Sequence, residues 1–304
     1  MYIYHIMFNA IKRYLFYQFC VISRYLFPKR KKIALCCIAK CENDYIREFV
    51  EYYKLLGIDN IFIYDNNDVD GERFEDSIGD YIETGFCVVE NVRGKKQMQL
   101  PAYQHFYDNY SKNYDWVAFF DCDEFLTFTN STETFKTFLS RSYFAKYQMI
   151  HLNWMLFGDN ELLDNDGRMV TERFAIPLSN EQLNIPNKRS ENETIKTIIR
   201  GGLSGVNCSI HTCYNFFCRC CDANGKRIDA NSTFNDIDFA TAYIRHYSTK
   251  TIGEWVKIKQ KRGLADMDYQ KASQFLGLDY FFRYNIKTDE KLRYAELLMN
   301  AGHE

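Results

Sequence analysis

The sequence predicts an α/β protein with a mainly parallel sheet flanked by helices, and three observations predict it. Strand-like segments recur at Ile33–Ala39, Ile58–Tyr64, Phe86–Val92 and Trp116–Phe120, and the first is a short continuous apolar run, the mark of a strand buried on both faces. Segments of helical character lie between them. In Asp44–Leu56 the residues Ile46, Phe49, Val50, Tyr53 and Leu56 fall at helical spacing and Gly57 supplies the stop; Gly71–Tyr81 and Pro101–Tyr110 come next. Alternation of this kind builds parallel sheets, whose ligands gather beyond the carboxyl ends of the strands.

Length and composition fit that class. A chain of 304 residues, 46% hydrophobic and 26% charged, is an ordinary globular chain long enough for one large α/β domain with appendages. The expected division is an amphipathic helix over 1–30, the α/β domain over 31–250 and a helical extension over 251–304. A net charge of −2 gives no global field for nucleic acid, so no such partner is expected. Eleven cysteines, with Cys36-Cys37 and Cys220-Cys221 adjacent, do not pair off within one chain and point to a reducing compartment. The group Cys208, Cys213, Cys218, Cys220 and Cys221 with His211 lacks the C-x2-C spacing of a zinc knuckle.

The first segment places His5, Asn9, Lys12, Arg13, Ser23 and Arg24 on one face of a helical wheel, with Ile3, Met7, Phe8, Leu15, Phe19, Ile22 and Leu26 largely away from it. Pro28 and the basic run Lys29-Arg30-Lys31-Lys32 come after it. Charge interrupts the segment too often for a bilayer span, which needs about 20 mainly apolar residues. It suits an interface rich in anionic lipid, and the expected location is cytoplasmic, peripheral on the inner face of a membrane. The competing reading is a helix docked on the protein's own core.

Past Phe144 the pattern changes. Met149–Trp154, Arg168–Phe174, Ile195–Ile199 and Val206–Ile210 read as short strands, Asn180–Glu193 as loop, and the chain from Ile252 onward as helix.

The strongest chemical signal is Trp116-Val117-Ala118-Phe119-Phe120-Asp121-Cys122-Asp123-Glu124-Phe125. An apolar strand delivers two carboxylates to a strand end, and in extended chain residues i and i+2 point the same way. Both would face one hard cation, Mn²⁺ or Mg²⁺, which prefers oxygen ligands.

Six stretches taken in order resemble the bacterial glycosyltransferase-2-like group and the related family 92 glycosyltransferases, which share the GT-A fold. They are Lys40-Cys41-Glu42-Asn43 with Tyr45-Ile46-Arg47-Glu48-Phe49; Gly57–Asn67 with Asp70-Gly71; Gln99 with Ala102-Tyr103; Asp121–Phe125; Trp154-Met155-Leu156-Phe157-Gly158; and His246–Thr251 with Glu254-Trp255 and Lys257. Cys41 departs from the family's usual Asn. The resemblance implies transfer of a sugar from a nucleotide-diphosphate sugar, with UDP the expected nucleotide. The acceptor would be a glycan or lipid-linked glycan of a surface polysaccharide, and the outcome inversion.

The resemblance also implies roles. Glu42 would line the nucleotide pocket, and Asp65 and Asn66 would contact base or ribose, although Asp65-Asn66-Asn67-Asp68 also reads as a plain turn. Asp121 would sit near the ribose and Asp123 would bind the metal directly, with His246 as a further ligand and His211 as runner-up. Lys250 would touch the diphosphate. Lys196 is a second phosphate candidate, though alternation alone would also put it on a solvent face. Trp154 would stack on the acceptor sugar. An inverting transferase needs a carboxylate to deprotonate the acceptor, and Asp159, then Glu161, are the candidates, with a turn role for Asp159 equally open. The rival readings are another D-x-D metal enzyme acting on nucleotides and a non-catalytic sugar-nucleotide or membrane scaffold; no P-loop motif is present.

Overall fold

Alternate residues of the first strand face two different cores. In the computed structural model, which describes residues 8, 11, 12, 14, 15, 18, 22, 31–183, 188–263 and 275–301, β1 (Ile33–Ala39) is buried along its whole length. Its residues Ile33, Leu35 and Cys37 pack with Tyr45, Ile46, Phe49, Val50 and Tyr53 of helix α1 (Asn43–Leu55). Ala34, Cys36 and Ile38 pack on the opposite face with Ala102, Tyr103, Phe106 and Tyr107 of α3 (Gln99–Tyr110). The period-2 alternation of a strand thus feeds two apolar layers, and each large side chain removed from water contributes about 1.5–3 kcal/mol.

The parallel core is β3 (Cys87–Asn91), β2 (Asn60–Asp65), β1 and β4 (Trp116–Phe119), side by side in that order. Helix α2 (Glu75–Glu83) adds Ile78 to the α1 face. Beyond β4 comes β7 (Ile195–Arg200), antiparallel to both neighbours, then β6 (Met149–Leu156), then two-residue strands β10 (Cys220–Cys221) and β11 (Arg227–Ile228). The expected class, a mainly parallel sheet flanked by helices, is the one observed.

Two of the strands that were not legible in the sequence bear on the site. β12 (Ala242–His246) runs parallel to the end of β6 and antiparallel to β5 (Glu124–Phe128), with His246 opposite both Leu156 and Glu124. β5 is fixed by α1, because the Tyr53 hydroxyl donates to the Glu124 carbonyl at 2.8 Å and accepts from the Leu126 amide at 2.9 Å. Helix α1 itself stops at Gly57, whose φ of +89° turns the chain so that the Ile58 amide reaches back to the Tyr53 carbonyl at 3.1 Å.

Several expectations need correction. Arg168–Phe174 is not a strand: it contains the short helix Val170–Arg173. The Glu48 carboxylate caps that turn from a distant helix, accepting from the amides of Val170 at 2.7 Å and Thr171 at 3.0 Å. Val206–Ile210 yields only Asn207–Cys208 (β8), paired with Cys213–Tyr214 (β9), and the expected loop Asn180–Glu193 carries a helical turn at Asn180–Leu183. The ten cysteines among the described residues are all free thiols.

From Thr251 the chain is helical through Ile252–Glu254, a π-turn at Trp255–Lys259, and Gln260–Arg262. This segment is pinned at its start. Glu254 forms the capping box with Thr251, takes a two-pronged pair from Arg173 at 2.8 and 2.9 Å, and accepts from the Tyr45 hydroxyl at 2.7 Å. Most of the amphipathic helix expected over 1–27 lies outside the described residues. Among those described, Phe8, Ile11, Leu15 and Ile22 are exposed, and no helix is long and apolar enough to cross a membrane.

Candidate active site

The carboxyl ends of β1, β2 and β4 open on a cavity of about 770 Å³. Its lining mixes carboxylates (Glu42, Asp121, Asp123) with cations (Lys40, Lys95, Lys96, Lys259, Lys261, Arg262), and Trp154, His211 and His246 form one wall. This is where an open parallel sheet gathers ligands.

The D-x-D pair does not sit on extended chain. β4 ends at Phe119, and Asp121–Glu124 is a turn closed by the Glu124 amide on the Asp121 carbonyl at 3.0 Å. Both carboxylates line the cavity all the same. Asp121 is locked in place: Gln99 Nε2 at 3.0 Å and the Tyr103 hydroxyl at 2.9 Å donate to Oδ1, and Lys196 Nζ donates to Oδ2 at 2.7 Å. Lys196 is fully buried beneath the pair, also 3.3 Å from Glu124, and is not a cavity residue. The sheet register explains its position, since β7 runs antiparallel to β4 with Ile198 opposite Ala118, which carries Lys196 alongside the D-x-D turn. Burial lowers the Lys196 ammonium, but Asp121 and Glu124 outweigh it and leave it raised. Burial raises Glu124 well above the carboxylate range, and Asp121 and Asp123 add to that.

Asp123 is buried between His246 Nε2, 3.6 Å from Oδ1, and Lys259 Nζ, 3.4 Å from Oδ2. Burial would raise its carboxyl, but Lys259, His246 and Lys250 overcome that and hold it below the usual range. His246 is pushed down to about 4, first by burial, so its imidazole is neutral near pH 7. Its Nδ1 is buried without a partner, and its ring lies 4.1 Å from that of Trp154. His211 packs edge-on against Trp154 at 5.2 Å, with Nδ1 3.3 Å from the Ile195 carbonyl.

The fit to a divalent cation is tested by this donor set. Among the described residues no three Asp, Glu, His or Cys side chains converge as a protein-only metal cage. Asp123 with a neutral His246, and Asp121 beside them, fit instead the mode in which Mg²⁺ or Mn²⁺ takes one or two carboxylates and completes its shell with water and substrate phosphates.

The other expected site residues fall in three groups. Glu42 and Asn66 line the cavity. Glu42 is buried and paired to Arg262 and, at 3.6 Å, to Lys250, while Asn66 spends its amide on the carbonyls of Val92 and Lys95. Lys250, at φ +51°, lies behind Glu42 with its ammonium 3.7 Å from the Tyr45 ring centroid, outside the main cavity. Asp65, Asp159 and Glu161 are also outside it. Asp65 accepts from the Asn67 amide at 2.9 Å and from Arg93 at 2.7 Å, a turn fixed by an ion pair. Asp159 is buried against Lys291 and accepts from the Glu161 amide at 3.0 Å, while its own amide donates to Asn285 at 2.6 Å.

Lys95, Lys96, Lys259 and Arg262 were not singled out in the sequence. The one signal for the last two is a run of cations, Lys257, Lys259, Lys261 and Arg262, behind the His246–Thr251 stretch.

Residues 33–278 match the model of glycosyltransferase family 92, and the chain belongs to that family. A family 92 protein of Arabidopsis thaliana is 28% identical over 99 residues, 33% of this chain and 17% of that protein. A family 92 protein of Oryza sativa subsp. japonica is 27% identical over 100 residues, with the same coverage. The matched stretch thus spans about a sixth of these curated relatives. Among solved structures, S. aureus TarS 1–349 in complex with UDP-GlcNAc covers 89% of this chain and 80% of its own, at 11% identity and a TM-score of 0.36. Mannosyl-3-phosphoglycerate synthase from Rubrobacter xylanophilus covers 60% and 56%, at 10% identity and a TM-score of 0.31.

Proposed function

We propose that this chain transfers a sugar from a nucleotide-diphosphate sugar to a glycan or lipid-linked glycan. One observation carries the reading: the strand-end cavity sets Asp121 and Asp123 opposite a cationic rim and beside the exposed part of Trp154. A charged diphosphate fits the rim, and a sugar ring fits an indole face. Family membership and the GT-A-like α/β sheet support it.

Each residue then has a defined task. Gln99, Tyr103 and Lys196 fix the rotamer of Asp121. Asp123 and His246 would hold Mn²⁺ or Mg²⁺. Such an ion neutralises charge developing on the departing diphosphate. Lys95, Lys96, Lys261 and Arg262 surround the phosphates with point charges and one planar fork. Glu42 and Asn66 border the nucleoside end. Trp154, held between two imidazoles, presents its ring to the sugar.

The proposal extends to place. The exposed apolar residues Phe8, Ile11, Leu15 and Ile22, with Lys12 among them and the basic run at 29–32 later in the sequence, suit an anionic lipid surface.

Hydrolysis and transfer assays with UDP-, GDP- and CMP-sugars, each with Mn²⁺ and with chelator, test the reading. Metal-dependent consumption of a diphosphate sugar supports it. No consumption of any donor, with no nucleotide binding, sinks it. The anomeric configuration of the product decides between inversion and retention.

A further inference from the structure

Lys259 stands where a bound cation would have to go. Its ammonium is 3.4 Å from Asp123 Oδ2, one of the two carboxylates facing the cavity. Among the described residues it makes no other ion pair. The contact is long for a charge-assisted hydrogen bond, which is about 2.7–2.9 Å when tight. Lys259 is also the final residue of the π-turn Trp255–Lys259. Such turns insert one residue into a helix and re-aim the side chains beyond it.

The helix that carries it is anchored elsewhere. Trp255 is buried, with its indole nitrogen donating to the Leu276 carbonyl at 3.2 Å, and Glu254 is tied to Arg173 and Tyr45. The backbone at Lys259 is therefore fixed, and only a flexible four-carbon stem joins it to Asp123. Three residues on, Arg262 pairs with Glu42 and donates to the Lys40 carbonyl at 3.0 Å. One helix end thus supplies cations to two buried carboxylates of the cavity.

We propose that Lys259 is an internal counter-cation. It neutralises Asp123 while the site lacks metal and nucleotide, gives up the carboxylate when a divalent cation binds there, and turns to the diphosphate of the same complex. The physical reason is that a buried carboxylate left unpaired is costly, so a protein that takes its metal with the substrate needs a substitute charge in between. Lys259 then opposes metal binding in the empty protein and favours nucleotide binding in the loaded one. This rests on the metal-assisted reading above.

The test is Mn²⁺ binding followed by loss of the free-ion electron paramagnetic resonance signal, on wild type, Lys259→Gln and Lys261→Gln, with and without UDP. Lys261 lines the same cavity without an ion pair among the described residues and controls for mere loss of positive charge. Without UDP, Lys259→Gln should bind Mn²⁺ about fivefold or more tighter than wild type, and Lys261→Gln within about twofold, where tenfold corresponds to about 1.4 kcal/mol. With saturating Mn²⁺, Lys259→Gln should bind UDP more weakly than wild type. Equal or weaker Mn²⁺ binding by Lys259→Gln, or an equal gain in Lys261→Gln, overturns the counter-cation role and leaves the metal site standing. Failure of all three proteins to bind Mn²⁺, with or without UDP, overturns the metal reading and the counter-cation with it.

Discussion

Lys196 donates to Asp121 at 2.7 Å from a fully buried position, and the same ammonium lies 3.3 Å from the buried Glu124. One buried cation therefore serves both Asp121 and Glu124 beneath the D-x-D turn. Removing it should be costly. Lys196→Met should lose about 3–5 kcal/mol of stability, the usual penalty for stripping a buried pair of one partner. Glu124→Gln, which mimics the proton that burial favours, should lose far less. Urea midpoints of the two variants check this, and equal midpoints would contradict it.

The place of Asp159 predicts a split between stability and rate. Buried against Lys291 and Asn285 and outside the cavity, it joins the 158–161 turn to the C-terminal helices. Asp159→Ala should destabilise the protein by about 3 kcal/mol. Its kcat, measured well below its unfolding temperature, should stay within about tenfold of wild type. A kcat loss of about a thousandfold with an unchanged unfolding temperature would make Asp159 the base after all.

Acid should unfold this protein early. His151 and His211 are both pushed down to about 4, first by burial. His151 is held as neutral imidazole between Thr212 at 3.1 Å and Asn235 at 3.3 Å. A group whose folded pKa lies below its unfolded value binds its proton more readily when unfolded. Its stabilisation is complete above about pH 6.5 and is lost as pH falls toward 4, by up to about 1.4 kcal/mol per pH unit for each histidine. Metal-free unfolding curves at steps from pH 7 to 4 should show this, and His151→Gln should flatten the dependence. A stability unchanged from pH 6.5 to 4.5 would contradict it.

Deleting residues 1–27 should release the protein from anionic vesicles while UDP binding persists. Each basic residue near such a surface is worth about 1 kcal/mol. Co-sedimentation with phosphatidylserine-containing vesicles reads the outcome. Aggregation or unfolding of the truncated chain would favour a docked helix.

What was legible depended on how local its cause was. The strand to the D-x-D pair was readable because Trp116–Phe120 is continuously apolar, and α1 because its apolar residues recur at helical spacing. The turn of Asp121–Glu124 was not, since it is closed by contacts that a two-residue spacing does not encode. Arg168–Phe174 reads as a short strand from its sequence alone, and a carboxylate at Glu48 caps it as a helical turn. Lys196 alternates as for a solvent face, yet the register of β7 on β4 buries it under Asp121. Lys259 and Arg262 meet Asp123 and Glu42 across separations of 136 and 220 residues. Only the folded chain brings those charges together.

The central claim is that this cavity binds a nucleotide diphosphate with a divalent cation held at Asp123. Calorimetric titration of UDP into wild type and Asp123→Ala, each with Mn²⁺ and with chelator, tests it most directly. Wild type should bind UDP in a Mn²⁺-dependent manner, and Asp123→Ala should lose at least about a hundredfold in affinity, roughly 2.7 kcal/mol, while remaining folded at the temperature of the titration. UDP binding that is equally tight in both proteins, or in wild type with and without Mn²⁺, would contradict the account.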